Sequence, residues 1–262
     1  MRAALVAEYR KLVTTRMWWI LLLVMGCYLV FIAAIISATF ALVPQEDAPL
    51  VGEDAARAVY SVVNSVGYVF PLVVGSLAMT TEFRYQTITQ SLLVEPDRTT
   101  FLLAKLVSVL PVGLLLGVVG VLATVAGGAP LLELEGDGAM LGDADVLSGL
   151  LLGVVVVALW AMIGVAFGAL VSNQIAAIVI ILAFTQFVEP VARLVLSQVD
   201  ALSAVSAYLP GGAADSLIGA TFFGDPASVD LLPRWAAVLV MLAYAAAFAI
   251  AGRLTTLRRD IG

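Results

Sequence analysis

The 262-residue sequence contains no histidine, one cysteine (Cys27) and two lysines (Lys11 and Lys105). Without histidine, imidazole acid–base chemistry and the usual His/Cys zinc sites are closed to the chain. A single thiol cannot form a disulfide within the chain. The two lysines follow Arg10 and Ala104, so there is no G-x-x-x-x-G-K-[ST] loop, in which a lysine follows glycine to reach the phosphates of ATP. Charge is scarce too: 12% of residues, 13 basic against 19 acidic, for a net −6. A nucleic-acid binder needs clustered Lys and Arg, so no nucleic-acid partner is expected. What fills the sequence instead is apolar: 62% hydrophobic, with mean hydropathy +1.09. Soluble domains are nearer half apolar and a quarter charged, and disorder needs the opposite composition. The expected class is an all-α integral membrane protein, a single membrane domain over residues 1–262.

A hydrocarbon core about 30 Å thick takes roughly 20 apolar residues of helix. Six runs are read as spans: Met17 to Val43, Ala58 to Thr80, Phe101 to Gly127, Val146 to Val171, Ile175 to Val188 and Trp235 to Gly252. The first far exceeds the roughly 7–15 apolar residues of a signal peptide, so it is expected to remain as an anchor. The fifth is short because Glu189-Pro190 interrupts its pattern.

Six spans put both termini on one side. That side holds ten of the 13 basic residues against five acids, a net +5, while the other holds three basic residues against 14 acids, a net −11. The excess of Lys and Arg predicts cytoplasmic termini in a multi-pass protein of the cytoplasmic membrane. The exterior loops Gln45 to Asp54 and Leu131 to Asp145 are acidic. Their carboxylates could meet a divalent cation, but no EF-hand spacing is present, so they are read as solvated loops without a metal.

Before the first span, Leu5, Val6, Tyr9, Leu12 and Val13 recur on one helical face, with Arg2, Glu8, Arg10 and Lys11 largely elsewhere. Residues 1–16 therefore read as an amphipathic helix lying at the membrane surface, in contact with lipid. Between spans two and three, Tyr85, Ile88 and Leu92 predict a short helix after Glu82, ended by Pro96. Held by a span at each end, such a helix is a lever: displacing it tilts both spans.

The run Glu82-Phe83-Arg84, then Gln86-Thr87-Ile88-Thr89, Leu92 or Leu93, Pro96, Arg98 and Lys105 resembles the coupling-helix region of ABC-2 type permeases. These are the membrane subunits of ABC exporters whose ATPase is a separate chain. Gln86 departs from the pattern, since many members have glycine there. The resemblance implies a coupling helix within residues 82–100, with Glu82, Phe83, Arg84, Thr87, Ile88 and Leu92 at an ATPase interface. It places the leading helix, with Leu5, Tyr9, Lys11 and Leu12, beside it. It further implies a second permease subunit, identical or homologous, ATP and Mg held by the partner ATPase with no cofactor on this chain, and one or two re-entrant helices within residues 189–230.

The spans as read carry few polar groups, which counts against an ion-coupled carrier and favours hydrophobic or amphipathic cargo. Asn64, Ser65, Ser37, Thr39, Thr185 and Gln186 are candidates to line a path, although helix–helix hydrogen bonding is the commoner role of such residues. Glu189 and Arg193, at i and i+4, suit a local ion pair at an exterior gate or at an exposed interface. Glycines four apart (Gly113/Gly117, Gly149/Gly153, Gly164/Gly168) predict close helix packing. The competing classes are an ATP-independent transporter and a membrane scaffold. An intramembrane enzyme lacks the histidine or the paired intramembrane Asp that its chemistry needs.

Overall fold

The computed structural model describes residues 2–42, 50, 52–135, 138–197, 204–220 and 231–257. Every regular element among them is helical, and six stretches are long and apolar enough to cross a membrane. Glu46, Asp47 and Asp137 of the two acidic loops lie outside the described residues, as do Asp200 and, near the C-terminus, Arg258 and Arg259.

Helix α1 (Arg2–Thr14) precedes α2 (Met17–Leu42), the first span, which carries no charge. The indole N–H of Trp18 donates to Val13 O at 3.0 Å and fixes the corner between them. The second span is three segments, α3 (Gly52–Tyr60), α4 (Val62–Ser65) and α5 (Val69–Arg84). It begins six residues before the Ala58 predicted from hydropathy, because Glu53, Asp54 and Arg57 mask a helical start. A turn leads to α6 (Ile88–Val94). Glu95, restricted by Pro96, then takes an extended conformation (ψ 89°). Asp97 caps α7 (Arg98–Ser108), accepting from the Thr99 and Thr100 amides at 3.0 and 3.2 Å. Its hydrogen bond from the Thr100 hydroxyl and those from the two amides hold the exposed carboxyl below the usual range.

Proline at 111 supplies no N–H, and the helix breaks at Val109 before continuing as α8 (Leu110–Glu135). The fourth span, α9 (Ala144–Leu170), is capped by Asp143, and α10 (Gln174–Ala183) by Asn173. The fifth span does not end at Glu189-Pro190. A π turn (Phe184–Val188) carries it into α11 (Glu189–Ser197), and the apolar stretch runs to Leu196. The proline lacks the N–H that an α-helix would direct to the carbonyl four residues back, and the wider turn accommodates that loss. Between the fifth and sixth spans lies α12 (Pro210–Ile218), all nine residues of which are buried, closed by Gly219 in the left-handed conformation (φ 80°). The sixth span is α13 (Arg234–Leu254).

The second and fourth spans form the centre, with 72% and 67% of their apolar windows buried, whereas the first, fifth and sixth have 22%, 22% and 28%. The outer three therefore present apolar faces to lipid or to another subunit. Two glycine positions show why the centre is tight. A Cβ at Gly164 would run into Leu72 O, and one at Gly117 would stand 2.7 Å from Val154 O. The spacing of small residues thus serves packing within the chain.

Candidate functional site

At the end of the bundle that carries α1 and α6, four charged residues from three helices form one cluster. The Lys105 ammonium on α7 donates to Glu8 Oε2 at 2.6 Å, to Glu82 Oε1 at 2.7 Å and to the Ala78 carbonyl at 3.1 Å. It is 4% exposed and also faces the Phe101 ring, 5.2 Å from its centroid. Lys11 on α1 donates to Glu8 Oε1 at 2.6 Å, to Glu82 Oε1 at 3.1 Å and to the Ser91 hydroxyl of α6 at 2.9 Å. Burial works against the charge of Lys11, but its hydrogen bond to Glu8 and the two carboxylate charges outweigh it and hold the pKa above the ordinary lysine range. Charges taken out of water persist only when paired this completely. The cluster ties α1, α5, α6 and α7 into a single mechanical unit.

The amphipathic helix differs from its sequence reading in one respect. Glu8, expected away from the apolar face, points inward with Leu12, because the two lysines neutralise it. The expected apolar face is divided. Leu12 is buried and Leu5 half-buried, while Val6, Tyr9 and Val13 stay exposed.

The nominated interface residues also separate. Glu82 and Ile88 are buried, at 6% and 0% exposure, and so face the bundle. Phe83 and Leu92 are half-buried, while Arg84 and Thr87 are exposed. Arg84 donates to Gln174 of α10 at 3.1 Å and lies over the Tyr85 ring. Three residues that the sequence reading did not nominate, Tyr85, Leu93 and Val94, form the most exposed apolar surface here, at 65%, 78% and 86%. Gln86, in the turn between α5 and α6, has φ 56°. That left-handed conformation is one that glycine adopts without strain and glutamine does not. The same end is tied to the end of α13 and the turn after it: Arg253 Nε donates to the Thr99 hydroxyl at 2.8 Å, and Arg98 to Leu257 O.

A second cluster lies deeper, beside Trp160, which is a little past the midpoint of α9. Asp215 on α12 accepts from Asn64 Nδ2 and Arg193 Nη2, both at 2.5 Å, and is fully buried. Asn64 in turn accepts from Trp160 Nε1 at 3.1 Å. Glu189 accepts the Gly211 amide at 2.5 Å, and its Oε2 is 3.3 Å from the Tyr68 hydroxyl, which also donates to Thr185 O at 2.8 Å. Arg193 thus reaches across to α12, and both it and Glu189 are buried, so the exposed interfacial pair is excluded. Asp215, Tyr68 and Trp160 were not singled out by sequence. A lone Asp in the apolar run Pro210-Gly211-Gly212-Ala213-Ala214 was the available signal.

The candidate path residues are not brought together. Asn64 and Ser65 are buried, whereas Gln186 is exposed on the outside of the fifth span. Asn64 serves the helix–helix hydrogen bonding that is commoner for such residues. At the end opposite α1, Glu53, Asp143 and Asp145 offer oxygens within 4.8 Å of one another, with Arg57 paired to Glu53 and, at 3.4 Å, to Asp145. That arginine neutralises the group most exposed to a cation.

A search of curated proteins finds no match. The family profile described as ABC-2 family transporter protein matches residues 4–188, which include α1, the tied α5–α6–α7 unit and the first five spans as far as the π turn. The chain belongs to the ABC-2 transporter family of membrane proteins.

Proposed function

We propose that the chain is the permease subunit of an ATP-driven exporter. Its termini lie in the cytoplasm, α6 is its coupling helix, and a separate ABC ATPase holds ATP and Mg. Family membership supports the association with an ATPase, and the charge partition supports the orientation. The observation that carries the mechanism is the cluster of Glu8, Lys11, Glu82 and Lys105 with Ser91. A push on α6 reaches α1 through the Ser91–Lys11 bond and α5 and α7 through Glu82 and Lys105. Ile88 anchors α6 from below, and Tyr85, Leu93 and Val94 offer the apolar patch for docking. Arg84 and Thr87 lie beside that patch, while Glu82 transmits from within.

Two permeases, identical or homologous, would enclose the path, using apolar faces of the outer spans. The exposed Gln186 and Phe187 on the fifth span mark one such face. The cargo is hydrophobic or amphipathic (drug, lipid, peptide or antibiotic), moved as the bundle rearranges when the ATPases close. Glu189, Arg193 and Asp215 would tie α12, as a re-entrant helix, to the second and fifth spans and so hold the exterior end shut. Copurification with a P-loop ATPase, and transport that stops on ATP depletion, is the expected result. Transport that persists without ATP would overturn this reading.

One observation favours the second reading, an ATP-independent carrier. The fifth span runs to Leu196 and so contains Glu189 and Arg193, which removes part of the sequence argument that the spans lack ionisable groups. The ATP-depletion experiment separates the two.

A further inference from the structure

Glu8 is the only acid in residues 1–16, and it is turned inward, where Lys11 and Lys105 neutralise it. The charge left on the outward face of α1 is therefore of one sign. Val6, Tyr9 and Val13 stand there at 45%, 42% and 37% exposure. The exposed Arg10 shares their face, four residues after Val6 and three before Val13. Arg16 follows at the corner into α2, also exposed. Among the described residues neither arginine has an acidic partner. The other donors nearby are occupied. The Lys11 ammonium serves Glu8, Glu82 and Ser91, and the Thr14 and Thr15 hydroxyls donate to carbonyls of α1.

We infer that this face seats anionic phospholipid of the adjoining leaflet, with Arg10 and Arg16 on the head-group phosphates and Val6, Tyr9 and Val13 against the acyl chains. A guanidinium matches a phosphate with two parallel hydrogen bonds and sheds water more readily than an ammonium. Its long stem reaches the head groups while the helix rests on hydrocarbon. What lies across the corner selects lipid over an acidic protein. Apolar exposure resumes there in Met17, Trp19 and Ile20, at the start of the uncharged first span, which has 22% of its apolar window buried. An indole suits the depth at which head groups begin. A zwitterionic head would set its own cation against two arginines, so a net negative head is preferred. Lipid and the four-residue cluster then hold opposite sides of α1.

The test places a photo-reactive residue at Val6 of the purified full chain, in nanodiscs of equal parts phosphatidylcholine and phosphatidylglycerol at low salt, and weighs the lipid adducts by mass spectrometry. Phosphatidylglycerol adducts should exceed phosphatidylcholine adducts by about fivefold or more, since a single arginine near an anionic surface contributes about that factor. Arg10→Gln combined with Arg16→Gln should lower the preference by about fivefold or more. Both side chains are exposed and unpaired among the described residues, so the double variant keeps the fold. Raising the salt to about 0.5 M should also weaken the preference, by screening. The same photo-reactive residue at Phe31, exposed within the first span, should show no preference between head groups.

Equal yields of the two adducts at Val6, a preference that survives the double variant or the added salt, or the same preference at Phe31 would each overturn the inference. So would protein adducts that outnumber lipid adducts at Val6 in cell membranes, which would give the face to an acidic protein instead. The discs contain no ATPase, so this result and ATPase copurification succeed or fail separately.

Discussion

Two buried ion clusters hold this bundle, and they are built differently. The one at α1, α5, α6 and α7 has a half-exposed member, Lys11, an unserved oxygen on Glu82 and an open cleft beside it. The one joining α4, α5, α11 and α12 is closed: Asp215 is bonded through both oxygens, Glu189 through both of its own, and the space beside them is about 10 Å³. A closed network fixes a single arrangement, since any displacement strands a charge away from water. An open one, with a solvated member able to move, can exchange partners. The difference suits the first cluster to exchanging partners and the second to holding one arrangement.

The sharpest way to break that contrast is to remove one member from each. Asp215→Ala removes the carboxylate to which both Asn64 and the buried Arg193 donate and should cost about 3–5 kcal/mol, read as the largest loss of thermal stability in detergent. Lys105→Met, which leaves Glu8 and Glu82 facing each other with Lys11 alone, should cost about 3 kcal/mol by the same measurement. Lys11→Met should cost less than about 1 kcal/mol, because its site is partly solvated. Equal losses for Lys11→Met and Asp215→Ala would erase the distinction. The smallest effect is expected at Gln86. Replacement by glycine relieves a left-handed φ and should stabilise the fold by up to about 1 kcal/mol, seen as a small rise in melting temperature.

Helical class, six spans and the approximate place of each were legible because apolar runs of that length have few alternatives in water. The α6 region was legible from a resemblance carried by local residues, Glu82 to Lys105. Partners distant in sequence were not legible. Glu8 and Lys105 are 97 residues apart and Asn64 and Asp215 are 151 apart, and no periodicity links such positions. Glu8 was misread for that reason: amphipathicity assigns a carboxylate to the wet face unless its buried cations are known. The fifth span was cut short because proline argues for a helix end, and a π turn is not visible in composition. Exposure on α6 was also hidden, since Ile88 and Leu93 look alike in sequence but face opposite ways.

The central claim is that α6 meets an ATPase, and a photo-cross-linking residue at Leu93 tests it most directly, with the same residue at the exposed Leu141 of the opposite end as control. An adduct between Leu93 and a P-loop ATPase in cell membranes is expected, lost with Val94→Asp and absent from Leu141. An ATPase adduct at Leu141, or none at Leu93 in cells that retain active transport, would contradict it.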